Sequence, residues 1–181
     1  MGIGLEGTSA AHECYHEPGR AIPALSIARG EDASLGLKIF FDVDYTILSV
    51  DSSLRPGTRE TFRRLVSDGH QVYVWSGMGV RTSELRKHDL MELVSDVYRK
   101  PIQDYVAGLE RLGVPYWPDL VIDDYPEIVD TFGGVLVRPY YFRSPADDEM
   151  DRVYRIIAEV TATGRSAQVG FRPVAEPPQG T

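Results

Sequence analysis

The chain has 181 residues, of which 43% are hydrophobic and 25% charged, a balance typical of a globular protein with one ordinary core. Its formal net charge of −8 argues against broad binding to nucleic-acid phosphates and against docking on an anionic membrane surface. The single cysteine, Cys14, excludes an internal disulfide framework.

Residues 1–36 lack hydrophobic periodicity and are predicted to form an arm or loop. Within them His12, Cys14 and His16 alternate, which would place three soft ligands on one side of an extended segment. A structural zinc site needs a fourth ligand, and none follows at the usual spacing. Packed or solvated side chains are the more common role of such residues, so zinc is not part of the predicted function.

A short apolar run, residues 39–41, forms the predicted first strand and is followed directly by Asp42 and then Asp44. Residues two apart share one face of a strand, so the two carboxylates repel each other unless a cation or a proton lies between them. Buried carboxylates are almost never left without a partner. The pattern therefore favours a functional pair over an accidental surface pair.

A helix over residues 58–68 is predicted next, and it leads to a second apolar strand at 72–75. That strand runs into Ser76 and Gly77. A serine hydroxyl and loop amides at this position are suited to hold an anion, while a simple turn serine is the alternative. The sequence thus marks Ser76 and Gly77 as candidate anion-binding residues.

The later strands also end in charged residues. Lys100 follows the third predicted strand, and Asp123 and Asp124 follow the fourth. The elements predicted after Gly77 are a helix over about 80–90, a strand at 96–98, a helix ending at Gly113, strands at 120–122 and 134–137, and a helix over about 147–161.

This alternation predicts an α/β fold, a doubly wound parallel sheet of five strands with helices on both faces, in the Rossmann-like manner. The carboxyl ends of parallel strands meet at one edge, where such sheets bind ligands. Gathered at that edge are four carboxylates that suit a divalent cation, and a hydroxyl and an ammonium that suit a phosphoryl group. These residues are Asp42, Asp44, Ser76, Lys100, Asp123 and Asp124.

Four ordered motifs, spread over residues 38 to about 160, resemble the haloacid dehalogenase (HAD) superfamily, specifically its phosphatase branch. They are Asp42-x-Asp44-x-Thr46, Ser76 after a strand, Lys100-Pro101, and Asp123-Asp124. The resemblance implies a HAD-like fold and an aspartyl-phosphate intermediate formed on Asp42.

The same resemblance implies roles for the other residues. Asp44 would act as general acid and base, Thr46 would brace its loop, and Ser76 and Lys100 would bind the phosphate. Mg²⁺ would be held by Asp42, Asp123, Asp124 and the backbone carbonyl of Asp44.

The chain departs from the family pattern at Tyr45, where many members carry glycine. This ring would narrow the entrance or stack on a substrate, or else pack on Leu48 and Leu54. Pro56 follows Thr46 closely, which leaves room for a short flap but not for an inserted cap domain. A capless site of this kind would be open to bulky phosphorylated substrates.

The predicted function is a magnesium-dependent phosphomonoester hydrolase, an enzyme with a phosphorylated substrate as its partner. A phosphotransferase, a receiver-like module and a non-catalytic phosphate-binding module are the alternatives. The domain is expected at 37–162, between the arm (1–36) and a flexible tail (163–181). No apolar run approaches the ~20 residues of a membrane span, and the start lacks the pattern of a signal peptide, so a cytoplasmic location is expected.

Overall fold

The computed structural model describes residues 36–176 of the chain, in which strands and helices alternate. The predicted arm and its His12, Cys14 and His16 therefore lie outside the described residues. The elements are β1 (Lys38–Asp42), α1 (Thr58–Ser67), β2 (Gln71–Ser76), α2 (Thr82–Lys87), a 3₁₀ turn (Met91–Leu93), β3 (Asp96–Arg99), α3 (Tyr105–Arg111), β4 (Leu120–Asp123), α4 (Pro126–Phe132), β5 (Gly134–Leu136), α5 (Glu149–Thr163) and β6 (Phe171–Arg172).

These strands form one sheet in the order β3-β2-β1-β4-β5-β6, in which the first five are parallel and β6 runs antiparallel to β5. The predicted α/β class and all five predicted strands are confirmed. The prediction of only five strands is wrong, because β6 comes from the segment predicted as a tail. Two residues are too few to produce a periodic signal, and β6 exists only through its pairing with Gly134 and Val135.

Alternate residues of the central strands build two cores, one on each face of the sheet. Ile39 and Phe41 pack with residues of α1, α2 and α5. Phe40 and Trp75 pack on the opposite face with residues of α3 and α4. Helices therefore cover both faces, as the near-continuous apolar strands predict. No helix of residues 36–176 has the length and apolar character needed to cross a membrane.

The chain reverses its direction of winding at β1. The next strand, β2, pairs on one side of β1, and β4 pairs on the other. Such a switch point opens a crevice outside the carboxyl ends of the two strands, where ligands bind in open α/β sheets. Asp42 ends β1 and Asp123 ends β4, so both lie at the base of this crevice.

Candidate active site

Asp42 and Asp123 lie deep in the crevice with the ammonium group of Lys100 between them. Asp42 is 2% exposed and Asp123 is fully buried. The Lys100 Nζ lies 2.6 Å from the Asp42 Oδ1 and 2.9 Å from the Asp123 Oδ2. The backbone N–H of Lys100 donates to the Ser76 carbonyl over 2.9 Å, which fixes the lysine beside β2. One ammonium thus serves two buried carboxylates.

Asp124 adds a third carboxylate to this pair. Oxygens of Asp42, Asp123 and Asp124 all lie within 4.8 Å of one another, and we call these three residues the acidic triad. Burial, followed by the charge of Asp123, raises the pKa of Asp42 well above its ordinary value. Burial also raises the pKa of Asp123 to about 6, and it raises that of Asp124.

The charge of Lys100 does not fully offset the effect of burial on the pKa values of the triad. Burial by itself would lower the pKa of the Lys100 ammonium, but Asp42 and Asp123 together raise it, so this side chain stays charged. The carboxylates nevertheless keep raised pKa values, because the effect of burial outweighs that of the Lys100 charge. Three hard oxygen ligands with a deficit of positive charge are suited to a divalent cation such as Mg²⁺.

The carboxylate of Asp44 lies outside the triad. Its Oδ2 accepts a 2.6 Å hydrogen bond from the Ser76 hydroxyl, and its Oδ1 pairs with the guanidinium group of Arg81. The sequence did not single out Arg81, which stands in the loop before α2 without a motif around it. The available signal in the sequence was its position: Arg81 is a positively charged residue soon after the carboxyl end of β2, at the edge of the sheet where the acidic residues collect.

Ser76 ends β2 and is almost fully buried. Besides donating to Asp44, its hydroxyl oxygen accepts the N–H of Met78 over 2.9 Å. Gly77 borders a cavity of about 130 Å³ together with Lys100 and Ile102. A β-carbon at Gly77 would lie 3.0 Å from Ile102, so a larger residue would crowd this wall.

Thr46, which the resemblance implies as a brace of its loop and as a candidate substrate-binding residue, is fully buried. Its hydroxyl donates to the Asp124 Oδ1 over 3.4 Å, and its carbonyl accepts the Arg55 Nη1 over 3.0 Å. The turn after β1 folds back so that the N–H groups of Thr46, Ile47 and Leu48 all point to the Val43 carbonyl. This turn directs Thr46 inward, where it positions Asp124.

Arg55 is a second residue that the sequence did not indicate. It is 1% exposed, and its Nε and Nη2 donate to both carboxylate oxygens of Asp147 over 2.7 and 2.9 Å. Its guanidinium group also lies 5.0 Å from the centre of the Tyr140 ring. Arg55 therefore joins the loop after β1 to the loop after β5.

Tyr45 adopts a left-handed backbone conformation with φ of 64°. Glycine is the residue that adopts this conformation most easily, which accounts for the glycine that the resemblance implies here. The tyrosine ring pairs edge-on with Tyr141, with 5.1 Å between the ring centres. Leu48 and Leu54, the alternative packing partners, pair with each other through a backbone bridge.

No family model matches this chain, and no curated protein matches it either. The assignment of a function therefore rests on the geometry of the crevice.

That geometry combines three chemical capacities. The acidic triad offers oxygen ligands for a hard cation. Ser76, Lys100 and Arg81 offer donors to an anion on the side of the crevice formed by β2 and β3. Asp42 and Asp44, two carboxylates in different surroundings, are suited to different tasks in one reaction.

Proposed function

We propose that the protein is a magnesium-dependent phosphomonoester hydrolase, related to the phosphatase branch of the HAD superfamily, that acts through an aspartyl-phosphate on Asp42. The observation that supports this most directly is the buried group of Asp42, Asp123 and Asp124 with Lys100 inserted into it. A core of this kind is costly to fold unless a ligand uses it, because like charges are buried together.

The acidic triad would hold the Mg²⁺. The chemistry that the bound ion would supply is to reduce the repulsion between the carboxylates and the phosphoryl oxygens and to polarise the phosphoryl group. The donor set fits the ion, since all three residues supply carboxylate oxygens and only one ammonium group, that of Lys100, contacts them among the described residues. Asp44, whose carboxylate pairs elsewhere, is left for proton transfer.

In the first step a carboxylate oxygen of Asp42 attacks the phosphorus, and the bond from phosphorus to the ester oxygen breaks. Protonated Asp44 gives its proton to the departing alkoxide oxygen, which leaves as the alcohol. In the second step water attacks the phosphorus of the aspartyl-phosphate and passes a proton to Asp44. The bond from phosphorus to the Asp42 carboxylate oxygen breaks, so inorganic phosphate leaves and the Asp42 carboxylate is restored.

The cationic donors stabilise charge on the transferring phosphoryl group. Lys100 already contacts the proposed nucleophile, so it would remain beside the phosphorus during attack. Ser76 and Arg81 hold Asp44, and a phosphoryl oxygen can accept hydrogen bonds from the same donors. These contacts hold Asp44 on the β2 side of the crevice, close to the proposed phosphate position.

The test measures hydrolysis of 4-nitrophenyl phosphate by the full chain, with Mg²⁺ and after chelation. We expect turnover only with the metal, and we expect Asp42→Asn to reduce kcat by roughly three orders of magnitude or more, because the nucleophile is lost. Asp42→Asn removes a repulsive buried charge, so the variant should remain folded, which circular dichroism would verify.

Asp89→Asn is the matched control, because it makes the same chemical change at an exposed carboxylate paired with Arg59. It should keep wild-type turnover. Near-normal turnover in folded Asp42→Asn, or metal-independent turnover in the wild type, would refute the proposal.

A further inference from the structure

Exposed apolar side chains crowd the edge of the sheet that carries the candidate site. Scattered exposed apolar residues are ordinary on a protein surface, but several in the loops around one cleft indicate a site of interaction. All members of this group stand in the loops that follow the carboxyl ends of β1 to β5. We call them the apolar rim: Tyr45, Met78, Ile102, Tyr125, Tyr141 and Phe142.

Contacts and chain position tie the rim to the polar site. Tyr45 directly follows Asp44, and the N–H of Tyr125 donates to the Asp123 Oδ1 over 3.0 Å. The N–H of Met78 donates to the Ser76 hydroxyl oxygen, and Ile102 comes two residues after Lys100. A ligand whose phosphoryl group reached the polar centre would therefore meet apolar surface around it.

The aromatic part of the rim is held in place by backbone hydrogen bonds. The Tyr45 carbonyl accepts the N–H of Tyr140 over 2.6 Å, and the Tyr141 carbonyl accepts the N–H of Val50 over 3.0 Å. These bonds fix the edge-on pair of Tyr45 and Tyr141, whose residues are 40% and 50% exposed. Phe142, next in the chain, is 79% exposed.

Tyr45 occupies its place against a local conformational preference. A side chain with a β-carbon pays a steric penalty at φ of 64°, and glycine would avoid it. Backbone strain of this kind concentrates at functional sites. The ring at this position is therefore explained better by a role at the mouth of the crevice than by local folding.

We propose that the site takes aryl phosphomonoesters, whose ring packs on Tyr45, Tyr141 and Phe142 while the phosphate enters the crevice. This rests on the proposed function for the phosphate position. A phosphomonoester with an aromatic body matches both parts of the surface, because its charged end meets Lys100 and the cation site and its flat apolar end meets the exposed rings. The phosphate of a small polar alcohol, such as glycerol phosphate, has no flat apolar end and would gain little from the exposed rings.

The test compares kcat/KM for phenyl phosphate with kcat/KM for glycerol phosphate, in the full chain with Mg²⁺. The ratio of the two values is followed across variants, so the different intrinsic reactivities of the esters cancel. We expect Tyr141→Ala and Phe142→Ala each to lower this ratio roughly three- to tenfold, through loss of ring contacts. Both side chains are exposed, so their truncation should leave the core intact.

Tyr116→Ala is the matched control. Tyr116 is 40% exposed and packs against another tyrosine ring, Tyr73, but it also contacts Lys38 at the start of β1, away from the site edge. Its replacement should leave the ratio unchanged. An unchanged ratio in both rim variants would overturn the proposal, and so would a dimer that Phe142→Ala converts to a monomer with no change in the ratio.

A binding measurement separates this proposal from the proposed function. Calorimetry with Mg²⁺ would compare phenylphosphonate with methylphosphonate, neither of which can be hydrolysed. Tighter binding of phenylphosphonate that is lost in Tyr141→Ala would support the aryl site even if the wild type hydrolysed neither ester. Equal binding of the two phosphonates would overturn the aryl site even if hydrolysis were found.

Discussion

Asp42 and Asp44 are two residues apart in the chain, yet their side chains lie in different surroundings. Asp42 is buried against Lys100 and the rest of the triad, where burial and like charge raise its pKa. Asp44 is a quarter exposed and is held by Ser76 and Arg81. The turn after β1 creates this difference, because the strand ends at Asp42 and the backbone changes direction. The two carboxylates can therefore take the separate roles of nucleophile and proton carrier.

The proposed metal site can be tested at individual residues of the triad. We expect the double variant Asp123→Asn, Asp124→Asn to bind Mg²⁺ at least tenfold more weakly, because amide groups replace two of three charged ligands. Isothermal titration calorimetry measures this directly. The double variant Asp89→Asn, Asp130→Asn removes the same total charge at exposed positions and should retain wild-type affinity. Equal affinities in the two double variants would place the metal elsewhere.

Two loops beside the candidate site are joined to each other by the ion pair of Arg55 and Asp147. The loop between β1 and α1 carries Tyr45 and Arg55, and the loop between β5 and α5 carries Tyr140 and Asp147. Burial would raise the pKa of Asp147, but its hydrogen bonds from Arg55 outweigh burial and lower it. The ion pair with Arg55 therefore stabilises the charged form of the Asp147 carboxylate.

Breaking this ion pair should destabilise the protein strongly. Arg55→Met keeps much of the side-chain volume but leaves the nearly buried Asp147 charge without its partner, and such losses cost about 3–5 kcal/mol in the free energy of unfolding. Urea denaturation measures the change. Arg63→Met breaks an exposed pair with Glu60 and should cost less than about 1 kcal/mol.

A double variant separates the effect of the uncompensated Asp147 charge from the other consequences of Arg55→Met. Adding Asp147→Asn to Arg55→Met removes the uncompensated charge and should recover part of the lost stability. A cost for Arg55→Met no larger than that for Arg63→Met would contradict the role given to Arg55.

At the scale of the whole molecule, the acidic triad destabilises the folded state, and the rest of the structure must compensate for this. The parallel sheet delivers three carboxylates to one buried point, and its two apolar cores must stabilise the fold against their repulsion. Protons and the proposed divalent cation would compete to relieve the same repulsion. The stability of the protein should therefore respond to both.

In metal-free protein, stability should fall as the pH rises from 5 to 7. The pKa of Asp123 is about 6 in the folded state, against 3.8 as its ordinary value, so the folded state keeps a proton that the unfolded chain has released. The stability that this proton provides is lost as the pH rises through 6, by about 1–2 kcal/mol for Asp123 between pH 5 and 7. Asp42 contributes with the same sign.

The measurement is urea denaturation in chelator at both pH values, for the wild type and for Asp123→Asn. The variant corrects for His70, whose pKa is lowered by burial and whose contribution therefore has the opposite sign. Mg²⁺ should stabilise the wild type more at pH 7 than at pH 5, because it displaces the protons. A pH dependence identical in the two proteins would contradict the proton assignment.

The sequence by itself determined the α/β class, the five parallel strands and the edge at which the acids collect. These features follow from local patterns, since an apolar run of strand length and the polar residue that ends it are adjacent in the chain. Once the strands are parallel, their carboxyl ends must share an edge, so Asp42, Lys100, Asp123 and Asp124 had to meet there.

Only the tertiary structure decided how the side chains pair at that edge. The pairing of Arg55 with Asp147, of Arg81 with Asp44 and of β6 with β5 joins residues far apart in the chain, and no local periodicity encodes such contacts. The burial of Thr46 depends in the same way on the turn that folds it inward. Burial and charge pairing are set by all the elements that surround a residue, and they exist only once the sheet and its helices have packed.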